Sequence, residues 1–460
     1  MIARRVAVAF VASIATTAAF VAFGGGVARA NSRFPEANQL VIDPGNATHM
    51  AIRTSYGLLQ TFDDGASWQW LCEKSIGYGG TYDPAIAVTD KGSLLTGLLD
   101  GLSRSGNRGC DFAHQPGVLD KQDVIDISVL KSDPSKAVAI TSTGGEAGAF
   151  YVIVAESSDD GVTWTQQGTQ IPSDFTGETI DVAPSDPKRI YVSGFYGTPH
   201  VSAMEVSSDG GATWQRYDIG VPTPRTSAPY IAAIDPTDED RVYARLDVDG
   251  PGDVFVVSKD GGKTWTAAYT AKEDLLGLAI SPDGSRIALG GTRDGVKVAG
   301  KDDLTFVQTS DVTTWCLTWG TEGLFVCASE FPDCFTVGRS TDEGKTWTPL
   351  YHLSDLTQLS CPASSTTGTQ CPSQWDDPVN NNGVVQILGI GSEPVPCTPG
   401  SPDAADGGAD GGGTEPGSPA SSSSSGCGCA VVGASTSSAA ELLVALAAIA
   451  RAVRRRNQSS

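Results

Sequence analysis

Carboxylates recur along this chain inside one repeated phrase, Ser/Thr-x-Asp-x-Gly-x-Ser/Thr-Trp. It occurs five times, placing Asp63, Asp159, Asp209, Asp260 and Asp342 five residues before Trp68, Trp164, Trp214, Trp265 and Trp347. An aspartate can serve as acid, base or cation ligand, but this spacing suits turn chemistry. The carboxylate can accept N–H groups of its own loop, Gly at the fifth position supplies a positive φ, and the indole anchors the hairpin by burying a large apolar ring. Two worn copies, residues 103–112 and 301–306, end at Phe112 and Phe306 and bring the count to seven, with markers about 41 to 52 residues apart. A period in that range marks radial β repeats.

A second set of chemically capable side chains lies between the second and third strand of six of the units: Tyr56, Glu146, Tyr196, His200, Asp249, Arg293 and Asp333. Phenol, carboxyl, imidazole and guanidinium groups in such loops can hold a ligand, and two suitably separated carboxylates can hydrolyse a glycosidic bond. No local signature singles out a catalytic residue. Asp247, Asp249 and Asp253 lack the terminal Glu of an EF-hand loop and read as an acidic turn. With four scattered histidines and no Cys-x-x-Cys before residue 398, neither metal nor cofactor is expected.

The elements that position these groups repeat as well. Each unit reads strand A, a turn that often holds Asp-Pro, strand B, a loop, strand C, the Asp-x-Gly turn and strand D. Residues 181–195 (DVAPSDPKRIYVSGF) show the first half. The expectation is an all-β, single seven-bladed propeller of four-stranded antiparallel blades, starting near Leu40 and ending near Tyr351. No split blade is evident, and residues 383–391 are a candidate closing segment. In such a fold the B–C and D–A loops share one mouth, opposite the Asp-x-Gly turns, and the mouth is where a ligand is expected.

The phrase is identified as the Asp-box, or BNR repeat, so the chain resembles the sialidase and sortilin-like propeller superfamily, which also includes xyloglucanase-type glycosidases and a photosystem assembly factor. The resemblance implies a structural role for the box aspartates and leaves activity open. Sialidases of this type use three arginines, a Tyr–Glu nucleophile pair and an Arg-Ile-Pro motif. Here Arg53 stands in AIRTSY and the motif is missing. Xyloglucanase-type enzymes work between two propellers, and one is expected here. The favoured expectation is a non-catalytic monomer that binds a protein, peptide or glycan. An extracellular glycoside hydrolase is the alternative, and an assembly factor resembling the photosystem stability factor is the third reading.

Both ends carry sorting features. Arg4 and Arg5 precede an apolar run over residues 6–23 and an Ala28-Arg29-Ala30 ending, so residues 1–30 read as a signal peptide and residues 31–397 as the propeller with its closing segment. Residues 398–426 are a Gly/Ser/Pro/Asp linker. Residues 427–460 hold Cys427 and Cys429, a short apolar stretch interrupted by Glu441, and a terminal arginine cluster. That order resembles the MYXO-CTERM signal of myxobacterial surface proteins, which implies membrane contact through the tail before processing, a sorting protease, lipid attachment at a cysteine and surface display. Eight further cysteines (Cys72, Cys110, Cys316, Cys327, Cys334, Cys361, Cys371 and Cys397) suit disulfides in an oxidising compartment. Cys316–Cys327 and Cys361–Cys371 are the pairings local geometry favours. A net charge of −22 excludes a nucleic-acid binder and favours cationic or neutral partners.

Overall fold

The computed structural model describes residues 37–79, 82–220, 229–248, 252–376, 384–388 and 390. Seven antiparallel sheets, each built on four consecutive main strands, follow one another along the chain. Their inner A strands are Ala37–Ile42, Ile86–Val88, Val124–Val129, Phe175–Val182, Pro229–Ile234, Gly277–Ile280 and Cys316–Gly320. Each A strand neighbours that of the next blade, and Cys316–Gly320 returns to Ala37–Ile42, so the ring closes between blades seven and one. Apolar residues pack between successive sheets, as where Val138, Ile140 and Val154 of blade three meet Ile180, Val182 and Val192 of blade four. Alternation along a strand permits this, because each blade buries both faces.

The repeated Ser/Thr-x-Asp-x-Gly-x-Ser/Thr-Trp phrase works as a closed hydrogen-bond circuit. In the fourth blade Ser207 Oγ donates to Asp209 Oδ1 (2.8 Å) and accepts from Gly211 N (2.8 Å), while Asp209 accepts Thr213 N and Thr213 Oγ1 (2.9 and 2.7 Å). The same circuit recurs at Asp63, Asp159, Asp260 and Asp342. Gly211 sits at φ 87°, the left-handed region that glycine enters without a Cβ penalty. Hydroxyl and backbone donors hold the Asp342 carboxyl down to about 2. The worn second copy keeps the circuit with Asn107 in place of Asp, receiving Asp111 N at 2.9 Å. Acids at the fourth box position reach back to the preceding blade, pairing Asp64 with Arg339, Asp160 with Arg104 and Glu343 with Arg286.

Two expectations need correction. Trp68 and Trp164 are buried, but Trp214, Trp265 and Trp347 are only partly so. Their indole N–H groups still find acceptors, as Trp214 Nε1 does at Thr169 O (3.1 Å) in the neighbouring blade. The pairing Cys361–Cys371 does not form. Instead Cys371 bonds to Cys72 and Cys361 to Cys110, while Cys316–Cys327 pairs across strands A and B of blade seven as expected. Cys334 is also disulfide-bonded.

These cross-links belong to a latch. After blade seven ends at Tyr351, strand Leu356–Gln358 adds in parallel to Trp68–Leu71, the outer strand of blade one, making that sheet five-stranded. The short helix Thr366–Gln370 then lies on the worn box of blade two, where Thr367 N donates to Cys110 O (3.0 Å) and Thr366 N to Asp111 (2.9 Å). In helix Val384–Leu388 the side chains of Val384 and Leu388 join the blade-one core. The expected closing region therefore contributes, but the pairing strand lies nearer blade seven.

Candidate functional site

Local geometry of the inner strands builds the mouth. Pairing with strand B skips one residue in each of four blades, Asn38, Ile125, Glu178 and Ala232. A bulge of this kind leaves one residue outside the ladder and re-aims its side chain. The residues that follow the first three stitch blades together. Gln39 Nε2 donates to Ile86 O and its Oε1 accepts Ile86 N (both 3.3 Å), Asp126 Oδ2 accepts Ile180 N (2.9 Å), and Thr179 Oγ1 accepts Ile231 N (3.2 Å). The first three bulges thus do two jobs: they join the blades and present Asn38, Ile125 and Glu178 at equivalent places of the repeat, whereas Ala232 lies two pairs nearer the A–B turn.

Glu178 is the only ionisable residue of the four. It has no hydrogen-bond or ion-pair partner among the described residues, and burial alone pushes its carboxyl up to about 7. Asn38, by contrast, is occupied, accepting Arg53 Nε at 2.8 Å. Tyr230, the second residue of the blade-five inner strand, keeps 37% of its surface exposed. Glu178, Asp247, Arg245 and Arg53 all lie within electrostatic reach of its phenol, which burial and the acids hold above its ordinary range against the opposing pull of Arg245. Arg245 stacks over the ring, 4.5 Å from its centroid, and donates to Leu275 O (2.9 Å). Arg53, at the matching place in blade one, donates to Pro84 O (3.2 Å). Burial pushes the Asp126 carboxyl up to about 7 although it accepts two backbone N–H groups, and raises Asp181 as well.

The loop residues singled out from sequence are dispersed. Tyr56 is buried, its hydroxyl 3.2 Å from that of Tyr351. Glu146 is exposed on a one-turn 3-10 helix, Glu146–Gly148, beyond blade three. Tyr196 donates to Asp218 (2.9 Å) beneath the Arg216 guanidinium, and His200 packs 4.3 Å from the Phe195 ring on the same hairpin. Arg293 is 71% exposed and paired with Glu273 (2.9 Å). Asp333 accepts Thr313 N and Ser329 N (3.1 Å each), a loop-closing role. Asp253 likewise accepts Leu275 N (2.9 Å), while Asp249, Cys397, Cys427 and Cys429 lie outside the described residues, as do residues 1–36 and 391–460. Sequence reasoning passed over Glu178, Asp126, Tyr230 and Arg245. The available signal was a carboxylate in otherwise strand-like first runs, FTGETIDV and VIDISV.

The opposite face carries a depression of about 510 Å³ lined by Pro282, Asp283, Trp319, Thr321, Glu322 and Thr341. Its Asp283 is consumed by Ser281 and Ser285, which hold the carboxyl down to about 2. The unpartnered carboxyl is at the other end, and the mouth is the better site.

No family model and no curated protein matches the chain. Among solved structures, an ancestral GH74 enzyme is similar at 15% identity and a TM-score of 0.51, over 68% of this chain and 46% of the enzyme. A GH74 enzyme of Niastella koreensis aligns at 14% identity and a TM-score of 0.40, over 71% of this chain and 66% of that one. A Hadza microbial sialidase aligns at 14% and 0.39, over 62% and 71%. The chain spans less than two thirds of both GH74 enzymes. At this distance the likeness concerns the fold alone.

Proposed function

We propose that this protein binds a protein, peptide or glycan ligand at the B–C loop mouth and leaves it chemically unchanged. The observation that carries the reading is Glu178, a carboxyl on a bulge with no partner among the described residues, on the strand that Thr179 joins to Ile231, the residue after the partly exposed Tyr230. Glu178 is only partly buried, so a ligand can reach its carboxyl and supply the partner it lacks among the described residues. Three features argue against turnover. A nucleophilic tyrosine needs its pKa lowered, whereas that of Tyr230 is raised. Both nearby arginines donate to backbone carbonyls. A glycosidase sets the acidities of its two carboxyls apart, yet those of Asp126 and Glu178 are both raised to about 7.

The second reading, a glycoside hydrolase, is favoured by one observation: Glu178, Tyr230, Arg245 and Arg53 share one electrostatic neighbourhood. Disulfides suit an exported protein, and the sorting features place the propeller at the cell surface in this reading. The test is a peptide and glycan array probed with the purified protein and Tyr230→Ala, alongside assays on sialosides and neutral aryl-glycosides. Binding lost in the variant without sugar release is expected. Hydrolysis that disappears in Glu178→Gln would replace binding with catalysis.

A further inference from the structure

We infer that the mouth selects a protonated primary amine, the ε-ammonium of a lysine-bearing peptide, with Glu178 as its counter-ion. This rests on the mouth-binding reading and narrows its ligand. The sign of the charge comes first. Asp126 and Asp181 line the inner strands on the blade-three side and on Glu178's own strand, and Asp247 lies near Tyr230. The cations of that neighbourhood are Arg53, which donates to Pro84 O, and Arg245, which donates to Leu275 O and is ion-paired with Asp253 (3.9 Å). The chain as a whole is acidic, at −22. A carboxylate or phosphate ligand would meet repulsion there, and a cation attraction.

Shape comes second. Glu178 is the fourth residue of Phe175–Val182, which begins at the mouth, so it sits roughly 10 Å along the strand from the rim. A lysine carries its compact ammonium on a four-carbon stem that covers much of this depth. An arginine brings a planar fork suited to paired acceptors, and an amino sugar brings a ring attached directly to its amine. Tyr230 is 37% exposed with Arg245 already over its ring at 4.5 Å, so the ammonium is held chiefly by Glu178. No described basic side chain occupies the position next to Glu178.

Proton linkage follows from the same geometry. The titratable group in electrostatic reach of Glu178 is Tyr230 on blade five, with Arg245, Arg53 and Asp247 around that phenol. Asp126 and Asp181 lie farther along the inner strands, Asp181 with Lys131 near it, and burial alone shifts the Glu178 carboxyl. The Glu178 carboxyl titrates at about 7, whereas a lysine stays charged well above that. Ammonium binding needs the ionised carboxylate, so affinity is lost as pH falls through 7.

Calorimetric titration of the mature protein with the capped peptide Gly-Gly-Lys-Gly-Gly tests this, with the Nε-acetyl and arginine analogues and a glucosamine tetramer as parallel arms. The lysine peptide should bind at least tenfold tighter than its acetylated form, and Glu178→Gln should lose the same factor. Affinity should fall about tenfold from pH 8 to pH 6, and the variant should show no such slope. Glu322→Gln, on the opposite face, should bind like the parent, and a Glu178→Gln variant that melts no lower than the parent would exclude misfolding as the cause. Equal binding of the acetylated peptide, tighter binding of the glucosamine tetramer, or no binding of the lysine peptide overturns the inference. A neutral ligand that is lost in Tyr230→Ala and indifferent to Glu178→Gln would do so too, while leaving the mouth-binding reading intact.

Discussion

Removing the latch disulfides should destabilise the propeller more than removing the hairpin disulfide, although all three are single covalent bonds. Cys72–Cys371 closes a loop of 299 residues and Cys316–Cys327 one of 11. If a cross-link acts by restricting the unfolded chain, the first stabilises by about 5–6 kcal/mol and the hairpin bond by about 3 kcal/mol. Cys110–Cys361 spans 251 residues, yet it is nested inside the first bridge. With Cys72–Cys371 intact it closes a ring of only about 48 residues and contributes about 4 kcal/mol. Unfolding entropy scales at about 2.1 cal/mol/K per residue, so for a propeller of roughly 340 residues each kcal/mol moves Tm by about 1.4 °C. Serine replacement of Cys110 and Cys361 should thus lower Tm by about 6 °C, replacement of all four latch cysteines by about 14 °C, and replacement of Cys316 and Cys327 by about 4 °C. Scanning calorimetry at one heating rate measures all three. A hairpin variant that falls as far as the four-cysteine variant, or a latch variant that falls by less than about 2 °C, would refute chain restriction as the source of stability.

Trp68→Ala, which empties a buried site and removes the N–H donated to Leu350 O at 3.0 Å, should cost about 3–5 kcal/mol. Trp214→Ala, with its ring already partly in water, should cost well under that, and urea titration of the pair ranks them. Stability should also fall as pH rises from about 4 through 7, because Asp126 and Glu178 have carboxyls raised to about 7 and must ionise inside the fold. The boxes act in the opposite sense. Asp342 is held down to about 2, so its contribution is present above the unfolded value near 4 and is lost as pH falls through 2, and a pH series of melting temperatures should peak between these limits. Asp126→Asn with Glu178→Gln should flatten only the neutral limb. At the other end of the chain, mass spectrometry of the mature protein should find it truncated and lipid-modified at Cys427, the first cysteine of its pair, and recovery of an intact chain ending at Ser460 would refute the sorting reading.

The sequence alone determined the repeat, the number of blades and the purpose of the box aspartates. Those properties are written within a few residues of one another: the Ser207–Asp209–Gly211–Thr213 circuit closes inside a single turn, so residue types at fixed offsets specify it. Cys316–Cys327 was legible for the same reason, since both cysteines belong to one hairpin. Tertiary structure decided what joins distant segments. The bridges Cys72–Cys371 and Cys110–Cys361 depend on where the end of the chain returns after a full circuit, which no local pattern encodes. How deeply Trp68 and Trp214 are buried depends on the neighbouring blade, although their boxes read alike. The site followed the same division. Tyr56 and Asp333 lie at the loop positions expected to line a mouth, and the fold gives their polar atoms to Tyr351, Thr313 and Ser329. Glu178 sits inside a strand, where a period-two pattern gives no reason to expect a free carboxyl. The skipped pairing between Gly177 and Thr179, together with the closeness of blade five, sets it within electrostatic reach of Tyr230.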